Sequence, residues 1–479
     1  MIQSTDTEIY ESLQPGRKLG GWGIEYSDAL PDTQVKLSAS EQFGDRGLAW
    51  VVNVPGETPW RSSSLDGLIP VAHPPSNHRY TETIPDKFPY PNPLNFGIHA
   101  KIYPTTEGRV SLTEIHNFVG ILSHEQLLTE TPNADVLVPA LHVVFSRPIK
   151  LGLDDFPYPM KPYPAPPNGE ESATLQKEEG SSEPARVRSA LIKWLAAEAL
   201  GGDEFAAEWI VLSIISKIIT RSPPVLPLTL TLGSVPLPPL ESSTSIPTLI
   251  TALKLLLPAV NHMPLSIPLV NDSRMVPISQ EEELLSGFLQ LPQETCIVVT
   301  EADVAEGTVT ERGLRNISAL KQCASSQTIE YEYPYSSYTF KTSINFIVLA
   351  QGKKSPFLET DITIPLSEAC GSPEKAATLY KTGDSIALPE EGVLESFRNL
   401  VCGAKLGKVD VAKEVLEYIQ EDFVRERQRD TSVTSDDLLR QMSVARLLTL
   451  SLHEPSITRE LWERGKMLDS ERKSRQATE

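Results

Sequence analysis

Cys296-Ile-Val-Val-Thr300, then Leu314-Arg-Asn-Ile-Ser-Ala-Leu-Lys-Gln-Cys323, then Ile344-Asn-Phe-Ile-Val-Leu349: two short, uninterrupted apolar runs flank a segment that reads as a helix. A strand with no polar alternation is buried on both faces, and a sheet made of such strands needs helices above and below it. This unit therefore predicts an α/β layer around a parallel sheet. Working back toward the N-terminus, Leu226 to Leu232 is β-prone, Ile246 to Leu257 helical, Leu265 to Val270 a strand candidate and Glu281 to Leu289 helical.

Further upstream the period becomes 3.6. Val187, Leu191, Leu195 and Leu200 share one face, and Gly201-Gly202 supplies a helix stop. Phe205 to Ile219 is apolar over most of its circumference, so it predicts a helix buried between other elements. Downstream of Val393 the pattern reads as purely helical. There Thr434-Ser-Asp-Asp437 writes a helix cap, and Leu438, Leu439, Met442, Ala445, Leu448 and Leu452 form one stripe. A second helix covers Ile457 to Arg472.

Residues 1–151 read as β-rich. Leu48–Val52, Gly97–Tyr103, Phe118–Leu122 and Leu141–Phe145 are short apolar runs closed by turn residues, with Gly108 to Thr113 leading into a further strand. Strands of this number and length outline a small barrel of the oligonucleotide/oligosaccharide-binding (OB) type. The Ser- and Pro-rich stretch near 61–93 is expected to be a flexible loop, and 152–186 a Pro/Glu/Ser-rich linker. The expected organisation is thus α+β and multidomain: an OB-like β domain over 1–151, an α/β domain over 187–390 and a helical subdomain over 391–479.

The chain carries 63 acidic and 43 basic residues, a formal charge of -20. Such a field repels phosphate backbones, so high-affinity DNA binding is not expected. The four cysteines are spaced as neither a zinc site nor a disulfide scaffold, which fits a reducing compartment. The start shows no basic segment followed by an apolar core, and the longest apolar stretches, each holding a lysine, fall short of a bilayer span. A soluble protein with no membrane contact is expected.

A parallel α/β core invites a search for nucleotide chemistry. After the first strand a phosphate loop needs Gly-x-x-x-x-Gly-Lys-Ser/Thr. Here Leu230-Thr-Leu-Gly-Ser-Val-Pro-Leu-Pro-Pro239 has one glycine, no lysine and three prolines that delete backbone donors. The Gly-Lys pairs at Gly352, Gly407 and Gly465 lack the following hydroxyl. At Val298-Val-Thr-Glu-Ala-Asp303 a threonine stands where an acid would hold magnesium, so Glu301 and Asp303 read as turn residues, with a relic metal site as the rival reading. There is no Gly-x-Ser-x-Gly elbow and no His-Glu-x-x-His, and His142 reads as an ordinary strand position. No catalytic residue, cofactor or metal ligand is expected, although an atypical hydrolase with an unrecognised site stays as the alternative.

Two further readings stay open. Arg446 either once faced a nucleotide or pairs with Asp436, Asp437 or Glu454. Trp462, flanked by Arg459 and Arg464, has the composition of an interface anchor, and the competing role packs it against the preceding helix.

The C-terminal motifs Thr434-Ser-Asp-Asp-Leu438, Ala445-Arg-Leu-Leu448 and Trp462-Glu-Arg-Gly-Lys-Met-Leu468 resemble the end of the minichromosome maintenance complex-binding family. Val54-Pro-Gly-Glu-Thr58 with Trp60, Gly202-Asp-Glu-Phe-Ala-Ala-Glu208, Leu285 to Pro292 and Asn316 to Leu320 match it in the same order. The resemblance implies an OB-like barrel and a degenerate AAA+-like domain. It also implies a nuclear, non-enzymatic partner that binds subunits of the replicative helicase and unloads them from chromatin or chaperones and delivers them, with links to DNA replication, cell division and sister chromatid cohesion. Under it, Trp462, Arg459 and Arg464 are the candidate partner-binding residues. The resemblance implies further N-terminal structure before the barrel, whereas Met1-Ile-Gln-Ser-Thr opens this chain, so the expectation is either a mis-assigned start or a form that lacks part of its barrel.

Overall fold

A computed structural model of the 479-residue chain describes residues 1–11, 43–61, 87–90, 97–103, 110–127, 136–149, 182–239, 244–280, 283–301, 307–431 and 433–478. Most of the stretches expected to be loop and linker, near 61–93 and 152–186, lie outside the described residues.

The first sheet holds β1 (Ile2–Glu11), β2 (Phe43–Val52), β3 (Gly97–Ile102), β4 (Ile115–Leu127) and β5 (Val136–Ile149) in the order β1-β2-β3-β5-β4. β3 and β5 run parallel, and the other pairings are antiparallel. Ile2 donates its backbone N–H to Glu114 O (3.0 Å) and accepts from Thr113 N (2.9 Å), bringing the start of β1 against the approach to β4. Ile2, Ala49, Ala100, Ile102 and Val143 form a small core there. Gly120 sits at a bulge where a Cβ would lie 2.1 Å from His142 O, so only glycine fits.

α1 (Glu183–Ala199) ends at Gly201 and Gly202, both at positive φ (+60° and +91°), as the sequence predicts. α2 (Glu204–Ile215) follows, capped by Asp203, which accepts from Ala206 N at 3.1 Å. Then come β6 (Leu230–Gly233), α3 (Thr248–Leu256), β7 (Val260–Pro264), α4 (Ile267–Asp272), β8 (Ile278–Gln280), β9 (Glu283–Leu285), β10 (Thr295–Thr300) and α5 (Glu311–Ser326). The hairpin β11 (Thr328–Tyr333) and β12 (Ser336–Lys341) precedes β13 (Ile344–Leu349), β14 (Ile362–Pro365) and α6 (Pro373–Thr378).

Five of these strands form an all-parallel sheet, ordered β14-β6-β13-β10-β7. Every residue of β10 and β13 is buried. Their side chains divide by alternation: Cys296, Val298, Ile347 and Leu349 join the core under α1, α2, α3 and α7 (Glu391–Leu406), while Ile297, Val299, Phe346 and Val348 face α5 and the small sheet β9-β8-β11-β12. That two-sided burial is why the runs are apolar on both faces, and the one amide within them, Asn345, is buried with Nδ2 donating to Ser213 O (2.9 Å) and Ser216 O (3.0 Å).

Three expectations are corrected. Leu265–Val270 is not a strand. Ser266 caps a short helix with Pro268 in its first turn, and the strand lies just before it, at β7. The described part of the stretch expected to be helical from Glu281 to Leu289, Glu283 onward, is not a helix either, because Leu284 and its neighbours pair with β8. Gly287 packs so close to Val276 that a Cβ would lie 2.3 Å from its carbonyl carbon, while Phe288 N and Leu289 N bond Arg274 O and Met275 O. Downstream of Val393 the fold is helical except for β15 (Asp410–Val411), which pairs in parallel with β16 (Ser456–Ile457). Around them stand α8 (Lys413–Arg429), α9 (Ser435–Ser451) and α10 (Arg459–Thr478). No described helix is long and apolar enough to cross a membrane.

The first sheet is fastened to the α/β unit by the segment after β2. Val260 N donates to Gly56 O (2.9 Å), Thr58 Oγ1 to Leu257 O (2.9 Å) and Trp60 Nε1 to Lys254 O (3.1 Å), while the Arg398 guanidinium stacks 4.7 Å from the Trp60 ring centroid. The Val54-Pro-Gly-Glu-Thr58 motif is therefore a docking strap. Gly56 has φ +74°, and a Cβ there would lie 2.5 Å from the Asn261 amide.

Candidate functional site

Open parallel sheets bind ligands beyond the carboxyl ends of their strands, where successive connections leave in opposite directions. In this sheet that place is the end of β6, between β13 and β14. A phosphate there would need the free N–H groups of the loop after Gly233. They are not free: Ser234 N donates to Gly352 O and Val235 N to Ala350 O, both at 3.0 Å. Pro236, Pro238 and Pro239 have no N–H to offer, and Pro236 O accepts from Tyr380 OH at 2.6 Å. The segment after β13 lies directly on the strand end, since a Cβ on Gly233 would come within 2.6 Å of Lys353 O.

A cavity of about 10 Å³ lies at this end, walled by Leu200, Leu232, Val235, Leu249, Leu379 and Tyr380. That barely admits one water, and its walls are almost wholly apolar. The chain itself fills the position a nucleotide phosphate would take.

The acid at the end of β10 is likewise engaged. Glu301 is buried, its backbone N bonds Leu349 O at 3.1 Å, and its carboxylate accepts from Ser355 Oγ. Burial pushes its pKa up, with the Ser355 bond opposing. Ser355 Oγ also accepts from Leu358 N (2.9 Å), so the pair pins the turn after β13 onto β10. Thr300 Oγ1 contacts His262 Nε2 at 2.9 Å. Asp303 lies outside the described residues, among which no cluster of His, Cys, Asp and Glu is placed to hold a metal ion. His142 meets Tyr103 OH at 2.7 Å within the first sheet, away from this end.

Arg446 is half-buried on α9 and, among the described residues, pairs with none of the three expected acids. Asp437 is instead occupied by the Thr434 backbone N–H (3.0 Å), Arg440 and Lys473 (3.3 Å). Although burial opposes ionisation, those bonds outweigh it and hold the carboxyl at about 2.

Trp462, Arg459 and Arg464 each have an intramolecular partner. Trp462 is 1% exposed, packs on Ile419, Ala445 and Ile457, and donates Nε1–H to Asp422 Oδ2 at 3.1 Å. Arg459 stacks over Tyr418, 4.9 Å from the ring centroid. Arg464 bonds Glu208 at 3.2 Å, and the same carboxylate takes Arg188 at 2.7 Å. The three stitch α10 to α8 and α2.

The Gly202-Asp-Glu-Phe-Ala-Ala-Glu208 motif acquires its meaning here, which spacing alone did not reveal. Asp203 caps α2, accepts Ser367 N at 3.0 Å and pairs with Arg475 at 2.8 Å, while Arg475 also stacks 4.2 Å from the Phe205 ring centroid.

The family model for the Mini-chromosome maintenance replisome factor matches residues 72–476, and the chain belongs to that family. It is 32% identical over 359 residues to the mini-chromosome maintenance complex-binding protein of Salmo salar, which covers 74% of this chain and 54% of the relative. Against the protein of that name from Homo sapiens it is 30% identical over 359 residues, covering 73% and 53% respectively. Against the Arabidopsis thaliana protein it is 27% identical over 394 residues, covering 78% and 62%. The chain spans about half the length of the vertebrate relatives it matches.

Proposed function

We propose that this chain is a non-enzymatic binding partner of the mini-chromosome maintenance helicase. In this reading it acts in the nucleus during DNA replication, removing helicase subunits from chromatin or chaperoning and delivering them. Family membership supports the partner, since the relatives carry complex-binding in their names. The five-stranded first sheet with its parallel β3–β5 pairing supports an OB-like reading. The all-parallel sheet with helices on its faces supports a degenerate AAA+-like one.

The observation that carries the proposal is the filled crevice at the end of β6. Ser234 N and Val235 N are bonded to carbonyls of the segment after β13, where a working nucleotide hydrolase must present them to phosphate. A helicase-like body without a nucleotide site can present the face of a neighbouring ring subunit and compete for the ring contact with no ATP.

Two measurements test this together. Affinity capture on the full chain from nuclear extract is expected to retain helicase subunits, and their absence would overturn the partner. Titration with fluorescent ATP is expected to give no saturable signal at micromolar concentration. Saturation there would overturn the inert-domain reading and favour the hydrolase.

A further inference from the structure

The strap after β2 does not close the space between the first sheet and the α/β unit. A cleft of about 810 Å³ lies beside it, walled by strand residues from both: Val51 to Val54 at the end of β2, Ile115 to Asn117 at the start of β4 and Val260 to His262 along β7. Ligand pockets commonly occupy about 300–1,000 Å³ and favour seams between structural units.

The wall has the chemistry of a peptide groove. Asn53, Asn117 and Asn261 line it, and each side-chain amide carries a donor and an acceptor, as a peptide group does. Val52, Phe88, Ile149 and Val260 supply apolar surface for side chains. His116 adds a fixed acceptor to the same wall. Its side chain is 2% exposed, its ring stacks on Phe118 with centroids 5.4 Å apart, and Nε2 lies 3.1 Å from Glu114 Oε2. The carboxylate keeps the proton on Nε2, so Nδ1 carries the lone pair, and Nδ1 is buried with no hydrogen-bond partner. An acceptor left unmade in that way costs free energy that an incoming N–H recovers.

Charge does not select an anion. Arg61 and Lys254 are accompanied by Glu57 in the lining, and Lys254 belongs to the last turn of α3, the negative end of its dipole. A phosphate or an acidic tail therefore gains little. Among the described residues β7 is the last strand of its sheet, and because three consecutive residues of it line the cleft, a chain laid there runs along a sheet edge. We propose that this cleft binds an extended, uncharged peptide segment, whose N–H groups and carbonyls meet the three asparagines and His116 while its side chains meet the apolar wall. The crevice at β6 is separated from it by β13 and β10, and the proposal does not rest on the helicase reading.

Selection of phage-displayed random octapeptides on the full chain tests it, with the enriched peptides synthesised and their binding followed by fluorescence anisotropy. Uncharged sequences are expected to be enriched and to bind saturably at micromolar concentration. Asn117 is exposed, so Asn117→Trp should obstruct the cleft and weaken binding about tenfold or more with the wild-type Tm retained. His116→Phe, which keeps the stack on Phe118 but removes Nδ1, should weaken it several-fold. Tyr335→Ser, at the fully exposed tip of the β11–β12 hairpin, should leave it unchanged. Should His116→Phe fail to fold, Asn117→Trp decides alone. No enriched peptide, binding indifferent to Asn117→Trp, or binding lost with Tyr335→Ser would each overturn the site, and enrichment of acidic sequences would overturn the uncharged assignment. Capture of helicase subunits is a separate readout, so its failure with octapeptides still bound overturns the helicase reading alone.

Discussion

Arg475 in the last helix holds Asp203, the cap of α2, through contacts of 2.8 and 3.1 Å, joining positions 272 residues apart in the sequence. Asp203 thus satisfies a helix terminus and neutralises a cation at once. Asp203→Ala is expected to cost about 2 kcal/mol in stability, whereas Asp203→Asn, which keeps the cap but loses the charge, should cost roughly half that. Urea unfolding of both variants distinguishes capping from pairing.

Trp462→Ala should lower stability by about 3–5 kcal/mol, the range for emptying a buried aromatic site. The indole is enclosed by Ile419, Ala445 and Ile457, and its removal also strips Asp422 of a donor. Melting temperature and helicase-subunit affinity measured side by side decide its role. An unchanged melting temperature with lost affinity would make Trp462 a partner anchor.

Gly233→Ala places a methyl group within 2.6 Å of Lys353 O. Because the obstruction is backbone, the segment after β13 must shift, and a loss of about 1–3 kcal/mol is expected from overpacking. Thermal denaturation checks it.

His453 is buried with Nε2 bonded to Leu400 O at 3.0 Å, and burial lowers its pKa, the Leu400 bond opposing. The unfolded chain therefore binds a proton more readily than the folded one. Stability contributed by the neutral ring is fully present above about pH 6.5 and is lost as pH falls from there through the folded value. The slope of stability against pH in that window should flatten in His453→Gln, as chemical denaturation at several pH values would reveal.

The charge of -20 predicts duplex-DNA binding no tighter than ~10⁻⁴ M at physiological salt. A shifted band at sub-micromolar protein in a gel assay would refute this.

Where a residue's surroundings were set by local pattern, the sequence was readable. Continuous apolar runs marked β10 and β13 to within one residue, and paired glycines marked the end of α1. The capping box at Thr434 and Asp437 formed as written. Reading failed where a distant backbone decided the outcome. Leu284 pairs with Ser279 because Gly287 lets the chain approach Val276, and no periodicity within Glu281–Leu289 contains that information. The candidate site was half legible. Three prolines and a missing lysine depart from a phosphate-loop pattern, but only the fold shows Gly352 and Ala350 supplying the carbonyls that take the Ser234 and Val235 donors. Arg446 carries two readings in the sequence, and only the fold shows that Arg440 and Lys473 occupy Asp437 instead.

The bonds from Ser234 and Val235 to Gly352 and Ala350 also bear on timing. Ring motors let go of their neighbours when a phosphate bond breaks, so release is tied to a fuel cycle. Under the proposed function, a chain that has closed that position with its own backbone has no such clock. Under the proposed function, the lifetime of its grip on a helicase subunit is set by thermal dissociation alone, and any haste must come from the partner's own nucleotide or from a competitor for the same face.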